Sequence, residues 1–300
     1  MKYEANKHAS RQGVIALIVA AFIWGCFPLY WHLLDFTTTI DILANRIVWS
    51  FVFGVLVHRM IEGHFIPSIA SVAEFGLISV AALVLAFNWG ISIYAVQVGR
   101  VVEGGIGMYF APIFQIIIGI IAFGEAITKT KIIVLVLLVL SASILIIDLM
   151  SIPTIALGMG LSFAVYASIK KRISVSSWNS FVIESGVMFI PALLFMLIYG
   201  SYFFTVGLSN ISNTALLMGA GLVAAPPLIL YGFGAQRVAL ATSGMALTLI
   251  PLINILVGWL VLNEAVTPVK WASILIIAVA VIYYTWTNVD NKFYKPRREG

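Results

Sequence analysis

The chain reads one stretch twice. Ala111 to Lys131 is APIFQIIIGIIAFGEAITKTK, and Ile250 to Lys270 is IPLINILVGWLVLNEAVTPVK. Pro112 matches Pro251, Gly119 matches Gly258, the Glu-Ala-x-Thr run at Glu125 matches that at Glu264, and Lys131 matches Lys270, each pair 139 positions apart. Farther upstream, Arg100 matches Arg237 and Gly107-Met108 matches Gly244-Met245, 137 positions apart. So many matches at nearly one offset mark a duplicated unit. The chain therefore divides into two related halves, 1–150 and 151–300.

The solvent of those halves is lipid. Hydrophobic residues make up 62% of the chain and charged residues 10%, against about a quarter charged in a soluble domain. A basic balance of +5 would suggest nucleic acid in a soluble protein, but here the cations fall in short gaps between apolar runs. That pattern fits membrane orientation and no nucleic-acid partner. A single cysteine, Cys26, excludes an intramolecular disulfide and a multi-Cys metal site. The first apolar run has no small-residue cleavage site, so no cleaved signal peptide is expected.

A bilayer core of about 30 Å needs about 20 apolar residues in a helix. Ten runs qualify, near 12–34, 40–60, 70–98, 101–123, 132–149, 152–169, 178–199, 212–235, 240–262 and 269–287. With the N-terminus in the cytoplasm, 14 of the 17 Lys and Arg residues lie inside, only Arg100 and Lys270 lie outside, and Arg46 sits within a helix. The positive-inside rule selects that orientation and puts both termini in the cytoplasm. Five helices per copy is an odd number, so the second copy enters from the opposite face. The expected fold is an all-α polytopic membrane protein of ten transmembrane helices in two inverted five-helix repeats, an architecture of many secondary transporters.

Charges and polar breaks within the runs are the candidate site. Arg46 and Glu184 are 138 positions apart and quasi-equivalent in the repeat. An intramembrane charge is costly and faces protein or a watery cavity. Their helix starts lie on opposite faces, so the expectation is two ends of one cavity rather than an ion pair, guiding a zwitterionic or polar solute. Glu184 is also the expected proton carrier by position. Asn88-Trp89-Gly90 in the third run and Pro226-Pro227 in the eighth fall at matching depth and suggest a kink or an interruption lining a cavity. Asn88 can bond either a neighbouring helix or a substrate. Trp24, with Pro28 kinking its helix, and its counterpart Tyr166 put aromatics near mid-membrane. Tyr30 and Trp31 fit an aromatic belt, and Glu125 and Glu264 read as interfacial caps. Lys170-Lys171-Arg172 reads as a cytoplasmic, lipid-facing anchor. The glycines after Glu103 lack the Lys-Ser/Thr of a phosphate loop and read as close packing.

Phe22-Ile23-Trp24-Gly25, Asn45 to Phe51 (NRIVWSF), Asn88-Trp89, Ile183-Glu184, and Pro227 with Arg237 together resemble the RarD branch of the EamA transporters in the drug/metabolite transporter superfamily. The resemblance runs through both halves. It implies a ten-helix inner-membrane permease with inverted repeats, a central cavity and no nucleotide hydrolysis. Members are associated with export of amino acids, metabolites or drugs. The chain departs from the pattern where Gly107 to Pro112 read GMYFAP rather than Gly-Tyr-Phe-Ile-Asn-Pro, and where Leu247 and Thr248 replace a Gln-Tyr pair. Losing those hydrogen-bonding groups points to a less polar solute.

The resulting expectation is a secondary transporter, monomer or homodimer, moving a small organic solute across the bacterial cytoplasmic membrane by alternating access. Trp24, Tyr109, Tyr166 and Tyr231 would supply aromatic walls, Asn88 hydrogen bonding, and Arg46 and Glu184 charge. No cofactor, metal or catalytic constellation is expected, since the four histidines lie at or outside helix ends and Cys26 has no His near it in sequence. A scaffold without transport and a membrane-embedded enzyme are the rival classes.

Overall fold

The computed structural model describes residues 2–69, 71–97, 101–149, 154–206, 209–261 and 267–290. Helices occupy all ten apolar runs. They are α1 (Lys2–Gly25) with α2 (Phe27–His32), α3 (Thr39–Glu62), α4 (Val72–Gln97), α5 (Val101–Phe123), α6 (Lys129–Leu149), α7 (Thr154–Arg172) and α8 (Ser177–Tyr199). A one-turn α9 (Tyr202–Thr205) precedes α10 (Ile211–Ala235), α11 (Leu240–Leu247) with α12 (Leu249–Leu260), and α13 (Pro268–Asp290). Among the described residues, five stretches are long and apolar enough to cross a membrane: Ala9–His32, Thr39–Glu62, Val72–Ser92, Ser177–Tyr199 and Ile211–Ala235. Shorter apolar helices cover Tyr109–Phe123, Leu240–Ile253 and Trp271–Thr287.

Local chemistry sets the ends. Thr38 and Ser176 cap α3 and α8 by accepting the N–H of Asp41 and Asn179, and both helices stop at glycines in the left-handed region, Gly63 (φ 82°) and Gly200 (φ 73°), as side-chain sterics require. The breaks inside runs fall elsewhere than Pro226-Pro227. α10 passes through both prolines and α4 passes through Asn88 without interruption. The first run breaks at Cys26, two residues before Pro28, and the ninth at Thr248, three before Pro251. A proline cannot donate to the carbonyl one turn back. At Thr248 the side-chain hydroxyl donates to the Met245 carbonyl (2.6 Å), so the break has its own local hydrogen bond.

Polarity is distributed inside out relative to a soluble protein. Asn45, Gln115, Ser141, Ser180, Ser243 and Ser273 are fully buried, while Ile121, Leu197, Ile198, Leu260 and Trp286 lie exposed on the outside. A soluble monomer seldom carries so much contiguous apolar surface; a hydrocarbon environment demands it.

The main helix pairings are α5 with α7, α1 with α11 and α12, α3 with α10, α4 with α8, α1 with α10, α4 with α7, and then α6 with α13, α3 with α8 and α5 with α11. Several of these pairs answer one another under the sequence offset: α5–α7 corresponds to α12–α1, α3–α10 to α8–α4, and α1–α10 to α7–α4, whereas α5 also packs on α6 without a counterpart of similar extent among the described residues. The pairs α6–α13, α3–α8 and α5–α11 map onto themselves. The largest buried cluster joins α1, α7, α8, α10 and α11 around Phe163, Tyr166 and Tyr231. A second joins α5, α6 and α13 around Ile116, Leu138 and Ile277.

Close approach between halves is made at glycine. A Cβ on Gly221 of α10 would lie 2.4 Å from the Ser50 backbone nitrogen and 2.5 Å from the Trp49 carbonyl carbon. With no side chain there, α3 and α10 meet backbone to backbone, and Ser50 Oγ donates to the Gly221 carbonyl (3.2 Å).

Candidate functional site

A narrow cavity of about 30 Å3 lies among α3, α4, α8 and α10, room for about two waters. Its walls are Arg46, Ile47 and Ser50 from α3, Ala82, Leu85 and Trp89 from α4, Phe181, Glu184, Ser185 and Met188 from α8, and Leu228 from α10. The repeat reappears in this lining. Arg46 with Glu184, Ile47 with Ser185, and Ser50 with Met188 are each 138 positions apart, and Trp89 with Leu228 is 139 apart. Residues from both sequence halves thus line the cavity, several of them at positions related by the sequence offset.

Arg46 and Glu184 face this one cavity, and among the described residues they form no ion pair with each other. The Arg46 guanidinium lies over the Trp89 ring, 4.0 Å from its centroid, with Phe27 at 5.9 Å and Trp31 at 5.8 Å. Its buried Nε has no hydrogen-bond partner. Asp41, five residues earlier, does not compensate it by contact. That carboxylate accepts from Thr37 Oγ1 (2.9 Å), Asn45 Nδ2 (3.0 Å) and the Tyr202 amide (3.0 Å).

Glu184 is differently placed. Lys170 Nζ donates to its Oε1 at 2.6 Å, Ser180 Oγ donates to the same oxygen at 2.7 Å, and the Tyr166 hydroxyl donates to Oε2 at 3.1 Å. Lys170 is 1% exposed. This corrects the reading of Lys170 as a lipid-facing anchor: its four methylenes lie inside the bundle, one of them 2.9 Å from where a Cβ on Gly232 would sit, and its charge terminates on Glu184. All three cations of the triplet lie in the last turn of α7, but only Lys170 turns its charge onto Glu184. Lys171, beyond the apolar run, donates to the Val238 carbonyl, and Lys171 and Arg172 both lie over Phe123. Burial lowers the Lys171 ammonium below its ordinary value.

Of the other candidates, Trp24, Tyr166 and Tyr231 converge with Phe163 in one aromatic cluster: Trp24 lies 5.5 Å from Tyr231 and 6.0 Å from Phe163, and Phe163 lies 5.7 Å from Tyr166. Tyr166 connects the cluster to the cavity through Glu184. Tyr109 is elsewhere, in the cluster of α5, α6 and α13. Asn88 points to α7 instead of the cavity, its Nδ2 donating to the Met159 carbonyl (2.8 Å) and Ser162 Oγ (2.9 Å); the choice between helix and substrate falls to the helix. Glu125 is a cap, as expected, but for a helix of the other half. It accepts from the Leu240 and Ala241 amides at the start of α11, whose own N-cap is Ala239, and pairs with Lys131 at 3.0 Å. Glu264 lies outside the described residues, as does the structure around Arg100.

Lys170, Ser180 and Trp89 complete the site; the sequence marks Trp89 only as part of the Asn88-Trp89-Gly90 segment and Lys170 only as part of an anchor, and does not mark Ser180. The signal for Ser180 was its spacing of one helical turn from Glu184. Lys170 was hidden inside a basic triplet. Gln115 is a further buried polar group, accepting from Ser243 Oγ at 2.9 Å beside Tyr231. Among the described residues no three His, Cys, Asp or Glu side chains gather as a metal site. His58, expected near a helix end, is fully buried with its ring 5.1 Å from that of His64.

No protein-family model matches the chain. A solved crystal structure superposes on it with a TM-score of 0.69, over 92% of this chain and 98% of its own, at 12% identity; that likeness concerns the fold alone. Among curated proteins, an uncharacterized transporter, YojE of Bacillus subtilis, is 31% identical over 95% of this chain and 98% of its own length. Protein RarD of Escherichia coli is 29% identical over 78% of this chain and 80% of its own. Protein RarD of Streptomyces exfoliatus is 31% identical over 93% of this chain and 90% of its own. A polytopic helical membrane protein matched at that level along nearly its whole length belongs to the RarD-type transporter family.

Proposed function

We propose that the protein is a secondary transporter that carries a small organic solute, of the amino acid, metabolite or drug kind, by alternating access. Ten helices cross the cytoplasmic membrane as two five-helix repeats inverted relative to one another, with both termini in the cytoplasm. The solute passes through the cavity between α3, α4, α8 and α10, against Arg46 and Glu184 with the Trp24–Tyr166–Tyr231 cluster behind. The single observation that carries this reading is the self-matching lining, in which Arg46, Ile47, Ser50 and Trp89 are each answered by their repeat counterpart. Two near-equivalent halves meeting at such a place can exchange conformations, which opens the same cavity first to one side and then to the other. At about 30 Å3 the cavity is too narrow for an organic solute, so the cycle requires the halves to separate around it.

Reconstitution tests this. Proteoliposomes preloaded with a mixed pool of cell metabolites should release a subset of them faster than protein-free vesicles. Equal release across the pool would end the transport reading and favour a scaffold. Labelling of cysteines placed at each terminus of intact cells tests the orientation, with both expected inaccessible from outside.

A further inference from the structure

Resting on the transport reading, we infer that the solute is a monocarboxylate with an apolar body, its charge received by Arg46. The guanidinium is the one cation on the cavity wall without an anion among the described residues, and its buried Nε is unpartnered. The Trp89 ring centroid lies 4.0 Å from its Cζ. That cation–π contact supplies no acceptor to the guanidinium N–H groups, and a guanidinium is a planar fork whose complement is a carboxylate.

The other charged wall residue rejects an amine. Glu184 already holds Lys170, Ser180 and Tyr166, so the pair it forms is neutral overall and offers no free anion to the ammonium of a cation or zwitterion. The two cavity hydroxyls are committed as well. Ser50 donates to the Gly221 carbonyl and Ser185 to the Phe181 carbonyl, so neither has a hydrogen left for a ligand. One free cation and no free hydroxyl on the wall suit one negative charge and disfavour a phosphate monoester, with two charges and three acceptor oxygens. Leu85, Met188 and Leu228 leave the remainder of the wall apolar, which sets the character of the body.

The test uses the full chain in nanodiscs and a matched set of probes: 3-phenylpropionate, 3-phenylpropan-1-ol, 3-phenylpropylamine, phenylalanine and phenyl phosphate. Binding is read by calorimetry and by the shift in unfolding temperature. A charge-assisted bidentate contact should favour 3-phenylpropionate over the other four by about tenfold or more, with Arg46→Gln reducing it to the level of the alcohol and Arg46→Lys retaining part of the preference. No preference for the carboxylate in the wild type, including failure of the carboxylate to bind, overturns the inference. So does a preference undiminished in Arg46→Gln. If that variant does not fold, the wild-type ranking together with Arg46→Lys still decides. Labelled 3-phenylpropionate and 3-phenylpropylamine in proteoliposomes separate the two readings. Carboxylate-selective binding without protein-dependent flux of any solute removes transport and keeps the anion site, whereas flux of the amine in preference to the carboxylate keeps transport and removes the site.

Discussion

Lys170 and Glu184 meet at 2.6 Å across α7 and α8, each almost sealed from the exterior, 1% and 7% of their side chains exposed. Neither charge could remain there alone, because burying an uncompensated ion costs far more than burying a matched pair.

Removing one partner therefore exposes that cost. Lys170→Met should lower stability by about 3–5 kcal/mol in detergent, and Lys170→Met combined with Glu184→Leu should recover most of it. Thermal unfolding of the purified variants measures both. Equal losses for the single and double variants would show that the pair is held by something other than mutual neutralisation.

Gly221→Ala should separate α10 from α3. The new Cβ would meet backbone atoms of Trp49 and Ser50 at 2.4–2.5 Å, where no rotamer change can relieve it, and overpacking of this kind costs about 1–3 kcal/mol. Gly76→Ala, with nothing within 4 Å of the added carbon, should instead be neutral or stabilising by about 0.5–1 kcal/mol through helix propensity. Unfolding temperatures of the two variants should move in opposite directions.

Asn88 and Arg46 should respond oppositely to truncation. Asn88→Asp replaces the amide that donates to Met159 and Ser162 with an acceptor facing an acceptor, and should destabilise the solute-free protein by about 1–3 kcal/mol. Arg46→Gln removes a charge with no ionic partner among the described residues, and should leave stability unchanged or improved while transport falls. Paired measurements of unfolding and flux distinguish a residue that joins helices from one that meets solute.

Glu125→Gln should weaken the start of α11. A carboxylate among first-turn amides is worth about 0.3–1 kcal/mol more than a neutral group near the surface, and here it also balances Lys131. Faster hydrogen exchange at the Leu240 and Ala241 amides, with α3 and α10 unaffected, is the expected readout.

Much of the fold was legible because lipid simplifies the code. Backbone groups in hydrocarbon must bond within their own segment, so apolar run length located the long helices, and an offset within one residue of that relating Pro112 to Pro251 also relates Arg46 to Glu184. Of the kink and the interruption expected at Pro226-Pro227, the interruption does not occur, since α10 is continuous there. A proline inside a packed membrane helix can be absorbed by its neighbours, so its presence alone does not end the helix. Tyr109 was grouped with the other mid-membrane tyrosines because depth can be read from sequence, whereas azimuth cannot when nearly every residue on the helix is apolar.

The sequence by itself determined that this chain is helical and that it lives in a membrane, and it shows one stretch read twice; these follow from hydropathy, run length and an offset, all properties of the chain as a line. Only the tertiary structure decided which charges are spoken for. Lys170 carries the same charge on the same stem as Lys171, yet one reaches Glu184 in the interior and the other a carbonyl near the helix end. A lysine side chain is long enough to do either, and what selects between them is which neighbouring helix presents a glycine at Gly232 and a carboxylate at Glu184, a fact of packing that no single stretch of sequence contains.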